Sequence, residues 1–192
     1  MKKEYILGID LGVNNAFVSS TYKGCGDSFR YMIKEKDPDW TYIEHWVKRC
    51  AGYVIGWFKW SKATIIALEN ISFDTMTYEK FMELVQEEIL VKAGNIKTHL
   101  VDCQYTSRIC WVCGYEDVRN RPSQDSFHCY KCGFSENADV NAAKVIAIKC
   151  AIDLAKKFKE QGQNWMNRFF ILESNRNNKI LVEKIEWACD AI

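Results

Sequence analysis

Tyr5-Ile6-Leu7-Gly8-Ile9-Asp10-Leu11-Gly12 is an apolar run that closes on one acid and a glycine. Such a run reads as a buried strand, and Gly12 supplies a tight turn where another backbone can approach. The acid gains weight from two others. Thr64-Ile65-Ile66-Ala67-Leu68 is a second short apolar run, as expected of a central strand, and Glu69 follows it directly. Asp139 lies in Asp139-Val140-Asn141-Ala142-Ala143, at the start of a helical pattern that continues to Phe158. Singly, Asp139 reads as a helix-start residue and Glu69 as a solvated strand end. As an ordered set they point to a metal site. Two Mg²⁺ ions about 3.5–4 Å apart can hydrolyse a phosphodiester. They need hard oxygen donors, one or two carboxylates per ion. Asp10, Glu69 and Asp139 are therefore the expected catalytic residues and the expected ligands of two Mg²⁺ ions.

Working outward from these runs gives the rest of the domain. Ala16–Tyr22 and Phe29–Ile33 read as two further strands around a turn at Lys23-Gly24-Cys25-Gly26-Asp27, which completes an antiparallel meander. A helix starts near Asp37-Pro38-Asp39 and runs to about Lys62, with an aromatic face (Trp40, Trp46, Trp57, Phe58, Trp60) that reads as core or interface. Tyr78–Ala93 is an amphipathic helix stopped by Gly94, and Ile96–Cys103 is another strand. With residues 106–137 set aside, the order is β-β-β-α-β-α-β-α. That is the order expected of an α/β, RNase H-like domain with a mixed sheet flanked by helices. The expected division is a first part at 1–105, an insert at 106–137, a final helix at 138–162, and a tail at 163–192. The tail has some helical pattern (Leu181, Ile185, Ala188) and no assignable role.

The insert carries Cys110-x-x-Cys113-Gly114 and Cys129-x-x-Cys132-Gly133. Two such pairs match one structural Zn²⁺ held by four thiolates, with a glycine after each pair to turn both sulfurs toward the ion. A closed Cys₄ site has no open position, so it is not catalytic. His128 beside Cys129 is not expected to ligate. Arg108, Arg119, Arg121 and Lys131 are candidates to reach phosphates, and Trp111, Tyr115, Phe127 and Tyr130 to stack on bases. The plainer alternative is a folding nucleus. The other five cysteines (Cys25, Cys50, Cys103, Cys150, Cys189) are scattered singly and read as small buried hydrophobes.

Composition bounds these readings. The chain has 192 residues, 48% of them hydrophobic and 27% charged, enough for a real core. It shows no secretory pattern and no apolar stretch near the ~18–20 residues of a membrane span, so a cytoplasmic protein with no membrane contact is expected. The formal net charge is only +1. A chain that gripped a long nucleic acid alone would be clearly basic. Either the basic residues cluster on one face or another chain supplies the grip. Gly8-x-Asp10-x-Gly12 also has a counterpart in the phosphate loop of actin-like and Hsp70-like ATPases, but no second Gly-rich loop follows here.

Gly8-Ile9-Asp10-Leu11-Gly12-Val13-Asn14-Asn15, Leu68-Glu69-Asn70, Thr106-Ser107-Arg108-x-Cys110-x-x-Cys113-Gly114, Phe127-x-Cys129-x-x-Cys132-Gly133 and Asp139-x-Asn141-Ala142-Ala143 occur in that order. Residues 4–160 thereby resemble the C-terminal half of the transposon-encoded TnpB nucleases and the related miniature type V CRISPR effectors. The resemblance implies a RuvC nuclease domain interrupted by a zinc ribbon that binds target nucleic acid. It maps the catalytic triad onto Asp10, Glu69 and Asp139, and the zinc ligands onto the four paired cysteines. It implies RNA-guided, Mg²⁺-dependent cutting of DNA. Two departures stand out. Family members carry a large N-terminal recognition lobe, whereas this chain opens on the first catalytic strand. A basic residue commonly precedes the second knuckle's Phe, where Gln124-Asp125-Ser126 stand here. The expected function is a RuvC-type DNA endonuclease subunit with a guide RNA and a separate RNA-binding recognition chain. Alternatives are a non-cleaving nucleic-acid-binding regulator or scaffold, and a standalone structure-selective nuclease.

Overall fold

A computed structural model describes residues 2–12, 15, 17–21, 24–25, 40–71, 78–173 and 178–192. The elements are β1 (Glu4–Asp10), β2 (Phe17–Ser19), β3 (Gly24–Cys25), α1 (Trp40–Ser61), β4 (Ile65–Glu69), α2 (Tyr78–Ala93) and β5 (Lys97–Val101). The insert follows with β6 (Ser126–His128) and β7 (Ser135–Asn137). Then come α3 (Ala138–Glu160), β8 (Phe169–Glu173), β9 (Asn178–Leu181) and α4 (Glu186–Asp190).

Alternate residues of the two central strands enter two different cores, as a two-residue period requires. Leu7 and Ile9 of β1, with Ile66 and Leu68 of β4, pack against α1 and α2. Ile6, Ile65 and Ala67 pack on the other face against α3 and the C-terminal segment. All seven are fully buried. Each large aliphatic contributes about 1.5–3 kcal/mol by burial, which is why the apolar runs form the middle of the sheet. β4 pairs parallel to both β1 and β5, while β2 pairs antiparallel to β1 and β3 antiparallel to β2. The sheet is mixed and lies between two helical layers.

Three expectations change. The third strand of the meander is Gly24–Cys25, inside the stretch read as a turn. Phe29–Ile33 and the helix start at Asp37-Pro38-Asp39 lie outside the described residues. The C-terminal tail is built on strands as much as helix. β8 pairs parallel to Glu4–Ile6 of β1, and β9 returns antiparallel to it. β2 uses Ile9 and Asp10, so β8 and β2 share successive lengths of one edge of β1. Leu181, Ile185 and Ala188 do not form one helical face, because β9 ends at Leu181 and α4 starts only at Glu186. Among the single cysteines, Cys50 and Cys150 are fully buried as expected, but Cys103 is exposed because β5 already ends at Val101.

The close seat of α3 on β1 depends on Gly8. A Cβ there would stand 1.9 Å from the Ala143 carbonyl oxygen and 3.0 Å from the Ala147 Cβ. Asp139 is one helical turn before Ala143, about 6 Å along the helix. Asp10 is two residues past Gly8 on the same strand face, about 6.6 Å along the strand. The two acids are thereby carried to the same end of the sheet.

Candidate functional site

Asp10, Glu69 and Asp139 line one open cleft of about 280 Å³ at that end of the sheet, with Gly12, Cys103, Thr106, Ser107, Arg121 and Gln124. Strand pairing brings two of them together. Ile9 of β1 stands opposite Leu68 of β4, so Asp10 and Glu69 follow at the next step. Asp139 is in the first turn of α3, where Asn137 caps the helix by accepting from the Asp139 and Val140 N–H groups. The positive helix end favours a carboxylate there. Burial pushes the Asp10 carboxyl well above its ordinary range, and the charges of Glu69 and Asp139 push it further, while Arg121 opposes them. Burial also raises Glu69, against a hydrogen bond from Thr106 and the charges of Lys149 and Arg121. Mutual repulsion in a half-enclosed cleft is relieved by a cation with an affinity for hard oxygen. The donors are hard oxygens, the type Mg²⁺ takes, but among the described residues only the four cysteines have their ligand atoms gathered within 4.8 Å of one another.

The four paired cysteines converge independently of that cleft. Their sulfurs all lie within 4.8 Å of one another. Cys110 and Cys132 are 3.8 Å apart at sulfur, and Cys113 and Cys129 3.6 Å. Bonds of about 2.3 Å in a tetrahedron give sulfur spacings of about 3.8 Å, so the cage fits Zn²⁺. Gly114 and Gly133 have φ of +68° and +75°, the left-handed turn expected after each pair. Their N–H groups bond back to the Cys110 and Cys129 carbonyls. His128 turns to the Ser135 hydroxyl and stays outside the cage.

The residues expected to touch nucleic acid divide into two sets. Arg108, Lys131 and Tyr130 are presented at the surface, Tyr130 with 58% exposure. Arg119 is tied to Asp117 by two side-chain bonds and lies over the Tyr130 ring. Arg121 is drawn into the carboxylate cleft, where it donates to Asp139 at 3.0 Å. One stacking expectation is overturned. Phe127 is fully buried among the cysteines, because the small insert has few other apolar groups for its core. Trp111 turns toward α3, its ring 4.6 Å from the Lys144 ammonium and edge-on to Phe134. Beside the carboxylate cleft, a second depression of about 350 Å³ shares Ser107, Arg121 and Gln124 with it and adds Arg108 and Val118. The two form a continuous surface from the acids onto the insert.

Residues 78–146 match the family described as Cas12f1-like, TNB domain. Over that stretch the chain is similar to that domain. A CRISPR-associated endodeoxyribonuclease Cas12f1 of Sulfoacidibacillus thermotolerans is 47% identical over 66 residues, 33% of this chain and 16% of that protein. A TnpB-like protein of Aquifex aeolicus (strain VF5) is 55% identical over 40 residues, 20% of this chain and 13% of that protein. The matches therefore span a small part of these relatives' length. The fold is shared with a Cas12f1–sgRNA–target DNA complex (TM-score 0.56, 22% identity, 73% of this chain and 49% of that one). It is shared also with a CRISPR-Cas12f ternary complex (TM-score 0.52, 19% identity, 76% and 40%). The resemblance to TnpB and the miniature type V effectors is borne out.

The TNB domain match runs from α2 into α3, so it includes the cysteine cage and Asp139 but neither Asp10 nor Glu69. Several groups that fix this site had no role assigned to them from the sequence. Asn15 donates to Asp139 at 3.3 Å, and Thr106 donates to Glu69. Lys144, 1% exposed, pairs with Glu136 of β7 and Glu173 of β8, which ties the insert to the C-terminal segment. Trp187 of α4 packs on Gly114 and donates its indole N–H to the Trp111 carbonyl at 2.9 Å. Asn15 and Thr106 stand inside the ordered motifs, but which acid each one holds is decided only when the chain folds.

Proposed function

We propose that the chain is the RuvC-type, RNase H-like nuclease half of an RNA-guided DNA endonuclease, dependent on Mg²⁺. The observation that carries the proposal is the single cleft formed by Asp10, Glu69 and Asp139 from three separate elements, continuous with the TNB surface. Asp10, Glu69 and Asp139 would hold two Mg²⁺ ions. When bound, Mg²⁺ supplies an activated water and stabilisation of the leaving oxyanion. The chain's own residues do the positioning. Asn15 and Arg121 hold opposite oxygens of Asp139. Arg121, at the junction of the two depressions, would also meet the incoming phosphate. Arg108 and Lys131 would follow the backbone across the TNB domain, and Tyr130 would offer a stacking face. One Zn²⁺ on Cys110, Cys113, Cys129 and Cys132 would keep that surface rigid.

The relatives named for sgRNA and target DNA act as larger proteins. A net charge of +1 gives this chain little grip of its own. A guide RNA and a separate recognition protein would complete the assembly. A native pull-down with RNA sequencing and mass spectrometry should return one defined small RNA and a basic partner protein. The recovered assembly should cut DNA only with Mg²⁺ or Mn²⁺. Asp10→Ala should abolish cutting while the fold and zinc content persist. Undiminished cutting by that variant would end the metal-site proposal. Binding without cleavage by the parent assembly would indicate a regulator.

A further inference from the structure

Glu69 ends β4 opposite Val101, the last residue of β5. From Val101 the chain turns out of the sheet toward the cysteine cage, and Thr106 lies in that turn, 4% exposed. Its hydroxyl donates to one carboxylate oxygen of Glu69 and leaves the other free of that bond. The turn is held with unusual force. Tyr105, just before Thr106, has φ of +63°, a left-handed conformation that a bulky residue rarely adopts. The N–H groups of Arg108 and Ile109 both close on the Tyr105 carbonyl, at 2.8 and 3.1 Å. Asp102 accepts from the Gln104 N–H at 3.0 Å. From α3, the Lys149 ammonium donates to the Asp102 and Gln104 carbonyls at 2.8 and 2.6 Å. A surface connection has no need of so many restraints. They determine where one hydroxyl stands.

We infer that Thr106 is a positioning residue for Glu69, and that Lys149 acts through it by clamping the turn between β5 and the cysteine cage. The inference rests on the cleft being a divalent-cation site. A carboxylate fixed at one oxygen presents the other to a cation without first losing rotational freedom, and partners of this kind affect metal affinity about 10–100-fold. The same turn leads into the Zn²⁺ cage, so cage and carboxylate share one support.

Mn²⁺, which reports on oxygen-donor sites by its paramagnetic signal, tests this on the full 192-residue chain with zinc bound. Thr106→Val should weaken Mn²⁺ binding about tenfold or more with unchanged zinc content and far-UV circular dichroism. Thr106→Ser should restore binding, and Lys149→Met should weaken it while Thr106 is intact. Parent-like Mn²⁺ affinity in Thr106→Val, or equal loss in Thr106→Ser, would overturn the positioning role. If Thr106→Val fails to fold, Lys149→Met decides by the same readout. Glu69→Gln separates the two levels of the argument. Loss of Mn²⁺ binding in Glu69→Gln with retention in Thr106→Val removes only the present inference. Retention in Glu69→Gln removes the cation site itself.

Discussion

Gly8 of β1 lies directly beneath Ala143 of α3, so close that a methyl group on Gly8 would sit 1.9 Å from the Ala143 carbonyl oxygen. The obstacle is helix backbone, which cannot swing aside as a side chain can. Gly8→Ala should therefore cost about 3 kcal/mol and separate Asp139 from Asp10. Chemical denaturation should show a lowered midpoint. A variant with the parent midpoint would mean that α3 sits farther from the strand.

Asp10 carries a stability penalty set first by burial and then by two neighbouring carboxylates. Its folded-state pKa is raised, so the folded chain binds this proton more tightly than the unfolded chain. Stability from this group is full below about pH 4 and is lost as pH rises through the carboxylate range to the raised value. In Mg²⁺-free buffer with zinc retained, Asp10→Asn should be more stable than the parent at neutral pH and lose that advantage in acid. Added Mg²⁺ should stabilise the parent and not the variant. Identical melting curves for the two chains at every pH would contradict this origin of the shift.

Burial pushes up the thiols of Cys110 and Cys113, so thiolates there depend on a cation to offset the cost. Cys113→Ser should release zinc and destabilise residues 106–137, while the sheet persists. Atomic absorption gives the zinc content, and amide exchange gives the extent of loosening. Full zinc content at native stability would refute the four-thiolate cage.

Trp187 ties the C-terminal segment to the first knuckle through Gly114 and the Trp111 carbonyl. Trp187→Ala should retain zinc, since no ligand is touched, yet speed amide exchange across residues 110–115 and cost about 2 kcal/mol. Gly114→Ala should do the same, because its added methyl would stand 2.5 Å from the Trp187 ring and its φ is +68°. Unchanged exchange in both would show that the knuckle is rigid without the C-terminal segment.

Much of this architecture was legible in the sequence. Ile65–Leu68 could only be a strand covered on both faces, and Tyr78–Ala93 appeared as a helix with the bounds read from its pattern. The cysteine pairs declared their cage through spacing, because close-range ligation leaves a local mark. The acids were legible only as an ordered set, and their meeting in one cleft required the register of β1 with β4 and the seat of α3 on Gly8.

The role of the C-terminal segment was not legible. β8 finds its partner in Glu4–Ile6 at the opposite end of the chain, and such pairing leaves no periodic trace in either stretch. The side chains that serve the cleft were hidden for a related reason. Phe127 looks like a surface for bases until the insert uses it to fill its own interior, and Trp111 until it packs toward α3 and Lys144. Arg121 looks like a free phosphate contact until the fold also bonds it to Asp139. The sequence by itself determined the central strands β1 and β4 and the helices α2 and α3, which four sulfurs gather, and which three acids stand at element ends. Only the tertiary structure decided which face each acid takes, which hydroxyl and cation hold it, and that the C-terminal segment locks the cage, because those outcomes depend on contacts between residues that chain order keeps far apart.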